Sequence, residues 1–202
     1  MKCLLSLCSI ALLSGCVGDV LESSTPAPVR YVIHPMQNDL SFASDTVIRI
    51  DKVLIDESLE TDRIAVLEDN RRLHFLEQAH WAASLDNVWE RYLTASLDSV
   101  DKAIIVQQDA VHVKADYRLR ADISDVYVLY DALAGQGVPH VRTSGMFMLL
   151  NAKDNSIVTS MKFEKESEAR SNSATDVSEA FERQWGEIMQ EFTQKLVNIT
   201  AQ

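Results

Sequence analysis

Alternating apolar and polar positions dominate the second half of the chain. The alternation has the period of a β-strand, and it predicts strands over 117–130, 141–149 and 157–163. The apolar set changes phase near Ser124 and Asp125, which predicts a β-bulge. Residues 153–156 form a turn signal. We therefore predict that these three strands form an antiparallel meander.

Shorter runs of β-branched and apolar residues precede this meander. They predict strands at 30–33, 47–50, 53–55, 63–67 and 72–76. The last two runs flank Asp69-Asn70-Arg71, where asparagine tolerates left-handed backbone geometry. These two runs are therefore predicted to form a hairpin.

Two segments carry apolar side chains at spacings of three and four residues, the period of an amphipathic helix. The first begins after Ser84, a suitable N-cap, and its aromatic side chains Trp89 and Tyr92 are interpreted as core packing. The second covers 177–199 and follows a loop predicted at 167–173. The pattern predicts a single α/β domain, in which a mixed, largely antiparallel sheet is covered by two long amphipathic helices.

The first 15 residues have the order of an export signal. Lys2 is followed by an apolar run over 3–13, and then by Ser14-Gly15 and Cys16. A membrane-spanning helix needs roughly 20 apolar residues, and this run is much shorter. Residues 1–15 are therefore predicted to be a cleaved signal peptide.

Leu13-Ser14-Gly15-Cys16 resembles the lipobox of bacterial lipoproteins, in which the cysteine receives diacylglycerol and becomes the first residue after cleavage. Two or more acyl chains, palmitate among them, hold a protein firmly on a membrane. Cys16 is therefore the predicted lipidation site; an ordinary signal peptide that contains a cysteine is the alternative.

The residue after Cys16 bears on which membrane holds the protein. Val17 replaces the aspartate that retains such proteins at the inner membrane. The resemblance thus implies the periplasmic side of the outer membrane, with the inner membrane as the alternative.

Composition limits the domain organisation, the cysteine chemistry and the partners that are possible for the rest of the chain. Residues 16–29 are predicted to be the lipidated cysteine and a flexible linker, and 30–202 the folded domain. Cys3 and Cys8 leave with the signal, so disulfides and zinc–thiolate sites are excluded from the mature chain. The net charge is −11, with 19 basic and 30 acidic residues. Such a chain repels phosphate backbones, which argues against nucleic acid or anionic lipid surfaces as partners.

Motifs for catalysis, cofactors or metals were sought among the polar residues. His74, Glu77 and His80 cluster but do not form HExxH, and on a strand the two histidines would lie about 20 Å apart. Ser144-Gly145 lacks the GxSxG frame of a nucleophile and falls inside a predicted strand. We therefore predict no catalytic, cofactor-binding or metal-binding residues.

Several segments together resemble the ABC-type transport auxiliary lipoprotein family, whose best-known branch is the lipoprotein of the paraquat-inducible Pqi system. Besides the lipobox, these are Arg30-Tyr31-Val32-Ile33, the segment 69–75, and His80-Trp81-Ala82 with Leu85. The chain departs from the family at Ala83-Ser84, where an acidic residue and a proline are frequent.

The resemblance implies a non-enzymatic periplasmic subunit with a three-layer α/β domain. Such a subunit would work beside an ABC or MCE-type system that moves lipids or other hydrophobic molecules. The expected partners are the membrane, through the acyl chains, and periplasmic transport components, with a homo-oligomeric ring as a hypothesis. Trp81 is considered for a role beyond the core, although core packing is the preferred interpretation. A structural envelope or cell-wall-activator lipoprotein and a lipid-anchored hydrolase are the alternatives.

Overall fold

One long strand lies at the centre of the sheet of this protein. The computed structural model describes residues 26–110, 112–130 and 137–200. The described part contains nine strands and two α-helices. In chain order they are β1 (Val29–Tyr31), β2 (Ser41–Ile50), β3 (Leu54–Ile55), β4 (Arg63–Glu68), β5 (Arg72–Trp81), α1 (Leu85–Asp98), β6 (Asp101–Gln107), β7 (Tyr117–Tyr130), β8 (His140–Asn151), β9 (Ile157–Glu168) and α2 (Ala174–Thr200).

Strand β7 has partners along both of its edges. On one edge β8 pairs with it in antiparallel fashion along almost its whole length, and β9 pairs with β8 in the same way. On the other edge β7 is paired in turn by β2, β3 and β4, all of them parallel to it. Beyond these strands, β6 pairs with β2 at one end, and β5 and then β1 extend from β4 at the other. Strand β7 therefore has one antiparallel neighbour along one edge and three successive parallel neighbours along the other.

The central predictions of the sequence are confirmed. Strands β7, β8 and β9 form the antiparallel meander, and its register shifts between Ile123 and Asp125, where the bulge was predicted. The β4–β5 hairpin turns through Asp69 and Asn70, which have φ of 52° and 53°. The backbone N–H of Arg71 closes this turn by donating to the carbonyl of Glu68 at 3.0 Å. The predicted α/β class, with a mixed sheet and two amphipathic helices, is also confirmed.

Several strand boundaries differ from the predictions. Strand β2 begins at Ser41, before the apolar run that predicted it. Strand β9 extends to Glu168, into the segment predicted as a loop, because its pairing with β8 continues as far as His140. Most of the loop predicted at Gly135-Gln136-Gly137 lies outside the described residues.

Helix α1 begins after Ser84, as predicted, but its cap differs from the expected one. The Ser84 side chain accepts no backbone hydrogen bond from the first turn. Its hydroxyl instead accepts from the side-chain amide of Asn87 at 2.7 Å. Because this local bond occupies the hydroxyl, Ser84 contributes to the start of the helix without capping its backbone donors.

Both helices pack against the same face of the sheet. Trp89 of α1 stacks on Trp185 of α2 with ring centroids 4.1 Å apart. Each helix also reaches Phe147 of β8, through Trp89 at 6.3 Å and through Phe192 at 4.8 Å. The indole N–H of Trp185 donates to the hydroxyl of Thr143 on β8 at 3.0 Å, and both groups are buried. One aromatic cluster thus joins the two helices and the sheet.

The opposite face of the sheet carries no described helix, whereas a three-layer arrangement would place a helix on each face. Side chains alternate between the faces of a strand, so the even-numbered residues of β8 and their neighbours point away from the helices. We call this side the uncovered face. The strand register assigns three residues to this face: Leu129 of β7, Arg142 of β8 and Glu166 of β9.

The buried bond between Trp185 and Thr143 provides a test of this packing. Replacing Thr143 with Val keeps the side-chain shape but leaves the indole N–H without a partner, so we expect the free energy of unfolding to fall by about 1–3 kcal/mol. Thr193→Val is the matched control, because the Thr193 hydroxyl is buried without a hydrogen-bond partner among the described residues. This control should leave stability unchanged or raise it. Urea denaturation of both variants measures the difference, and equal losses would contradict the role given to Thr143.

Candidate functional site

The predicted site residues lie in different parts of the molecule. Cys16 and the linker up to residue 25 lie outside the described residues, so the lipidation site stays a prediction. His74 and His80 are both on β5, but His74 is exposed, whereas His80 is half-buried and approaches Asp62. Within the described ranges, no group of three or more His, Cys, Asp or Glu side chains is placed to hold a metal ion.

Ser144 lies inside strand β8, as predicted. Its hydroxyl donates to the carboxylate of Asp125 at 2.6 Å, across the bulge between β7 and β8. A general base for serine catalysis is most often a histidine, which removes the hydroxyl proton at neutral pH. An ionised carboxylate is a much weaker base, so this pair is interpreted as a bond that supports the bulge.

Trp81 has the core role that was the preferred interpretation. Its side chain is 1% exposed. Its ring lies edge-on to Phe181 with centroids 5.4 Å apart, and 6.1 Å from the ring of Trp185. The residue therefore extends the aromatic cluster to the end of β5, and its backbone groups connect it to the place where the chain enters the domain.

That entry point is held by the tether-exit cluster, which we define as Arg30, Asp62 and His80. The Arg30 guanidinium lies 3.0 Å from the Asp62 carboxylate and also donates to the backbone carbonyl of Trp81 at 3.3 Å. His80 Nδ1 lies 3.3 Å from the same carboxylate oxygen. Burial opposes ionisation of Asp62, but the hydrogen bonds from His80 and Arg30 outweigh it and lower the pKa of this carboxyl. An ionised Asp62 thus fixes the short strand β1 to β5.

The lowered pKa predicts how this attachment depends on pH. A depressed carboxyl pKa stabilises the fold above the unfolded value of 3.8, and the stabilisation is lost as the pH falls through the lower folded value. An exposed ion pair contributes at most about 1 kcal/mol, so Asp62→Asn should speed local opening of β1 by about fivefold at neutral pH. Hydrogen exchange of the Ala82 amide, which donates to the Tyr31 carbonyl at 2.8 Å, measures the effect. Asp98→Asn, at the end of α1, is the control and should leave this exchange rate unchanged.

Exposed apolar side chains concentrate on the uncovered face. Seven large hydrophobic residues of the described part are exposed, and four of them lie on this face by strand register. These four are Leu54 (39% exposed), Leu73 (40%), Ile104 (44%) and Ile157 (65%). They belong to four different strands, so they are spread over the face and do not form one continuous apolar patch.

A pocket of about 720 Å³ opens at one end of the sheet, where the β4–β5 turn meets the end of β7 and the start of β8. We call it the hairpin-end pocket. Leu67 and Leu129 form its apolar part and are neighbours in the parallel pairing of β4 with β7. Arg71 of the turn and Arg142 of β8 line its polar part.

Ion pairs organise the polar part of this pocket. Arg142 Nη2 lies 3.1 Å from Glu166 Oε2, and His140 Nδ1 lies 3.6 Å from the other carboxylate oxygen of Glu166. On the turn, Arg72 lies 3.0 Å from Asp69 and also pairs with Glu68. Guanidinium groups and apolar side chains therefore share one opening.

The fold places the protein in a class of small α/β domains in which a mixed sheet carries two helices on one face. Neither described helix is both long and apolar enough to cross a bilayer. The chain belongs to the ABC-type transport auxiliary lipoprotein component family, whose family model matches residues 31–192. The resemblance seen in the sequence is thereby confirmed, and membership implies association with the cell envelope and with transport partners.

Solved structures share the fold. Protein XCC0632 from Xanthomonas campestris, of the DUF330 family, superimposes with a TM-score of 0.70 at 20% identity, over 86% of this chain and 94% of that one. A second structure, of an uncharacterized protein, gives a TM-score of 0.68 at 14% identity, over 85% and 99%. The hypothetical protein CT253 from Chlamydia trachomatis gives 0.51 at 12% identity, over 78% and 98%. No curated protein matches the chain significantly.

Sequence reasoning did not identify the hairpin-end pocket. Its turn residues lie within the segment 69–75 that carried the family resemblance, but Arg142 and Glu166 are far away in sequence. The alternation did place Arg142 on the polar side of its predicted strand, whereas Glu166 lies beyond residue 163, where the last strand was predicted to end. Only the pairing register of the strands brings Arg142 and Glu166 next to Arg71, and alternation along a single strand does not give that register.

Proposed function

We propose that this protein is a non-enzymatic, lipid-anchored periplasmic lipoprotein. It would serve as an auxiliary component of an ABC or MCE-type transport system that moves lipids or other hydrophobic molecules across the cell envelope. The observation that carries the proposal is membership of the auxiliary lipoprotein family over residues 31–192. The lipobox-like segment ending at Cys16, which precedes the matched region, supports the anchor.

In this proposal the anchor comes from Cys16 and its acyl chains. Residues 1–15 are removed on export, and residues 16–29 tether the domain that follows. A fully extended dozen residues would span up to roughly 40 Å, so the domain reaches well beyond the lipid surface. Val17 in the position after the lipidated cysteine favours the outer membrane. Tethering raises the local concentration of the domain near a membrane-bound partner.

In this proposal the domain acts by binding a protein partner. Support comes from the uncovered face, which no described α-helix covers and which carries exposed apolar side chains as well as the exposed Arg120 of β7. Further support comes from Ser144, whose neighbour is a carboxylate that does not suit nucleophilic catalysis. We therefore place the periplasmic transport partner on the uncovered face. Self-association of the chain on the membrane belongs to the same proposal.

Metabolic labelling with a fatty acid tests the anchor. Cys16→Ser should abolish incorporation of the label, because the thiol is the only group that the diacylglycerol would modify. Cys8→Ser is the matched control: it removes a thiol from the signal peptide, and labelling should persist. Mass spectrometry of the amino-terminal peptide of the wild-type protein should show an acylated cysteine, and an unmodified thiol there would overturn the proposed anchor.

Recovery of partners from solubilised membranes tests the contact surface. The full-length chain should copurify with a periplasmic transport component. Ile104→Asp introduces a charge on the uncovered face and should reduce that recovery, since desolvating a carboxylate in an interface is unfavourable. Val32→Asp changes a residue that is 59% exposed and lies outside the sheet, and it should have no effect. Wild-type protein that recovers no transport component would contradict the proposed role.

A further inference from the structure

The hairpin-end pocket is rich in arginine within a strongly acidic protein. Three arginines line it, namely Arg71, Arg72 and Arg142. Arg72 pairs with Asp69 and Glu68, and Arg142 pairs with Glu166, so the charges of these groups balance. The pocket is therefore much less acidic than the whole chain, whose net charge is −11, and an anion is repelled less there than elsewhere on the surface.

Arg142 carries an unmet hydrogen-bond donor in this pocket. Its Nη2 pairs with Glu166, but its Nε–H is buried and has no hydrogen-bond partner among the described residues. A buried donor without an acceptor is costly, and such groups in native proteins call for an explanation. A ligand cannot reach this buried Nε–H directly, but the Arg142 side chain as a whole is 28% exposed, so its guanidinium can contact a molecule in the pocket.

Arg71 supplies a second guanidinium. It is exposed on the β4–β5 turn, and no described residue forms an ion pair or side-chain hydrogen bond with it. The left-handed conformation of Asp69 and Asn70 holds the turn that carries it at the mouth of the pocket. Arginine is well suited to phosphate, because its planar fork can donate two parallel hydrogen bonds.

The rest of the pocket is apolar. Leu67 and Leu129 lie side by side on the uncovered face, and Leu73, which pairs with Leu67, extends this surface and is 40% exposed. A volume of about 720 Å³ is within the range of small-molecule sites. Cationic and apolar walls in one opening fit a molecule that has both an anionic and a hydrocarbon part.

We propose that the hairpin-end pocket binds the phosphate-bearing head of an amphiphilic molecule. Arg71 and Arg142 contact the phosphate oxygens, while Leu67 and Leu129 contact the adjoining hydrocarbon. The inference rests on the proposed function, because it names the chemical class of molecule that the transport system would present. The segment 69–75, which carried the family resemblance, contributes Arg71 to this pocket.

The same phosphate chemistry is offered by a phospholipid and by free phosphate, and the experiment separates them. The full-length chain in an uncharged detergent is titrated with short-chain phosphatidylglycerol, and separately with inorganic phosphate, and native mass spectrometry counts the bound molecules. We expect the phospholipid to bind. Inorganic phosphate should bind much more weakly, because it has no hydrocarbon to contact the two leucines.

Charge variants test the assigned residues. Arg71→Glu should weaken phospholipid binding by about tenfold or more, since a charge-assisted contact is replaced by repulsion. Arg120→Glu is the matched control: Arg120 is exposed on the same face, outside the pocket, and should bind like wild type. Arg142→Lys keeps the charge and the possible pairing with Glu166 but removes the planar guanidinium, and it should also weaken binding.

Three results would overturn the inference. They are the absence of phospholipid binding, equal effects of Arg71→Glu and Arg120→Glu, and equal affinities for phosphate and phospholipid. The last of these would leave an anion site without a role for the leucines. If a transport component still copurifies while phospholipid does not bind, the pocket assignment fails and the auxiliary role stands. If phospholipid binds but no component copurifies, the auxiliary role fails instead.

Discussion

The stack of Trp89 on Trp185 is the contact on which the rest of the domain depends. The two rings, 4.1 Å apart, join helices that are separated in sequence by the four strands β6 to β9. The hydrogen bond from Trp185 to Thr143 then fixes this pair to the sheet in one orientation. Aromatic packing alone would hold the helices at the sheet, but it would not set their rotation. The buried donor–acceptor pair sets it, because any other rotation leaves the indole N–H unsatisfied.

Most of the secondary structure could be predicted from the sequence, whereas most of the strand pairing could not. Period-two alternation gave the three strands of the meander, and the change of phase near Asp125 gave the bulge, because both are properties of neighbouring residues. The parallel pairing of β2, β3 and β4 with β7 was not predicted. Alternation shows which side of a strand is apolar, but it does not name the strand beside it. For the same reason the extension of β9 to Glu168 was missed, since continued pairing with β8 produces it.

The candidate site was predictable only in part. The lipobox-like segment is local, so the sequence alone indicates Cys16. The tether-exit cluster and the hairpin-end pocket join residues from distant strands, and neither follows from spacing along the chain. The acidic composition argued against phosphate-bearing partners, yet it is an average over the surface. Arg71 and Arg142 meet at one end of the sheet, and there the arginines offset the acidic side chains.

The edge of β7 shared by β2, β3 and β4 sets the order in which the chain can fold. These three strands come early in the sequence, but the strand that aligns them occupies residues 117–130. A polypeptide that emerges amino-terminus first can form the local β4–β5 hairpin by itself, but it has no strand to align β2, β3 and β4 with one another until β7 appears. Such long-range pairing slows folding. The early strands therefore reach their final positions only after more than half of the chain is available.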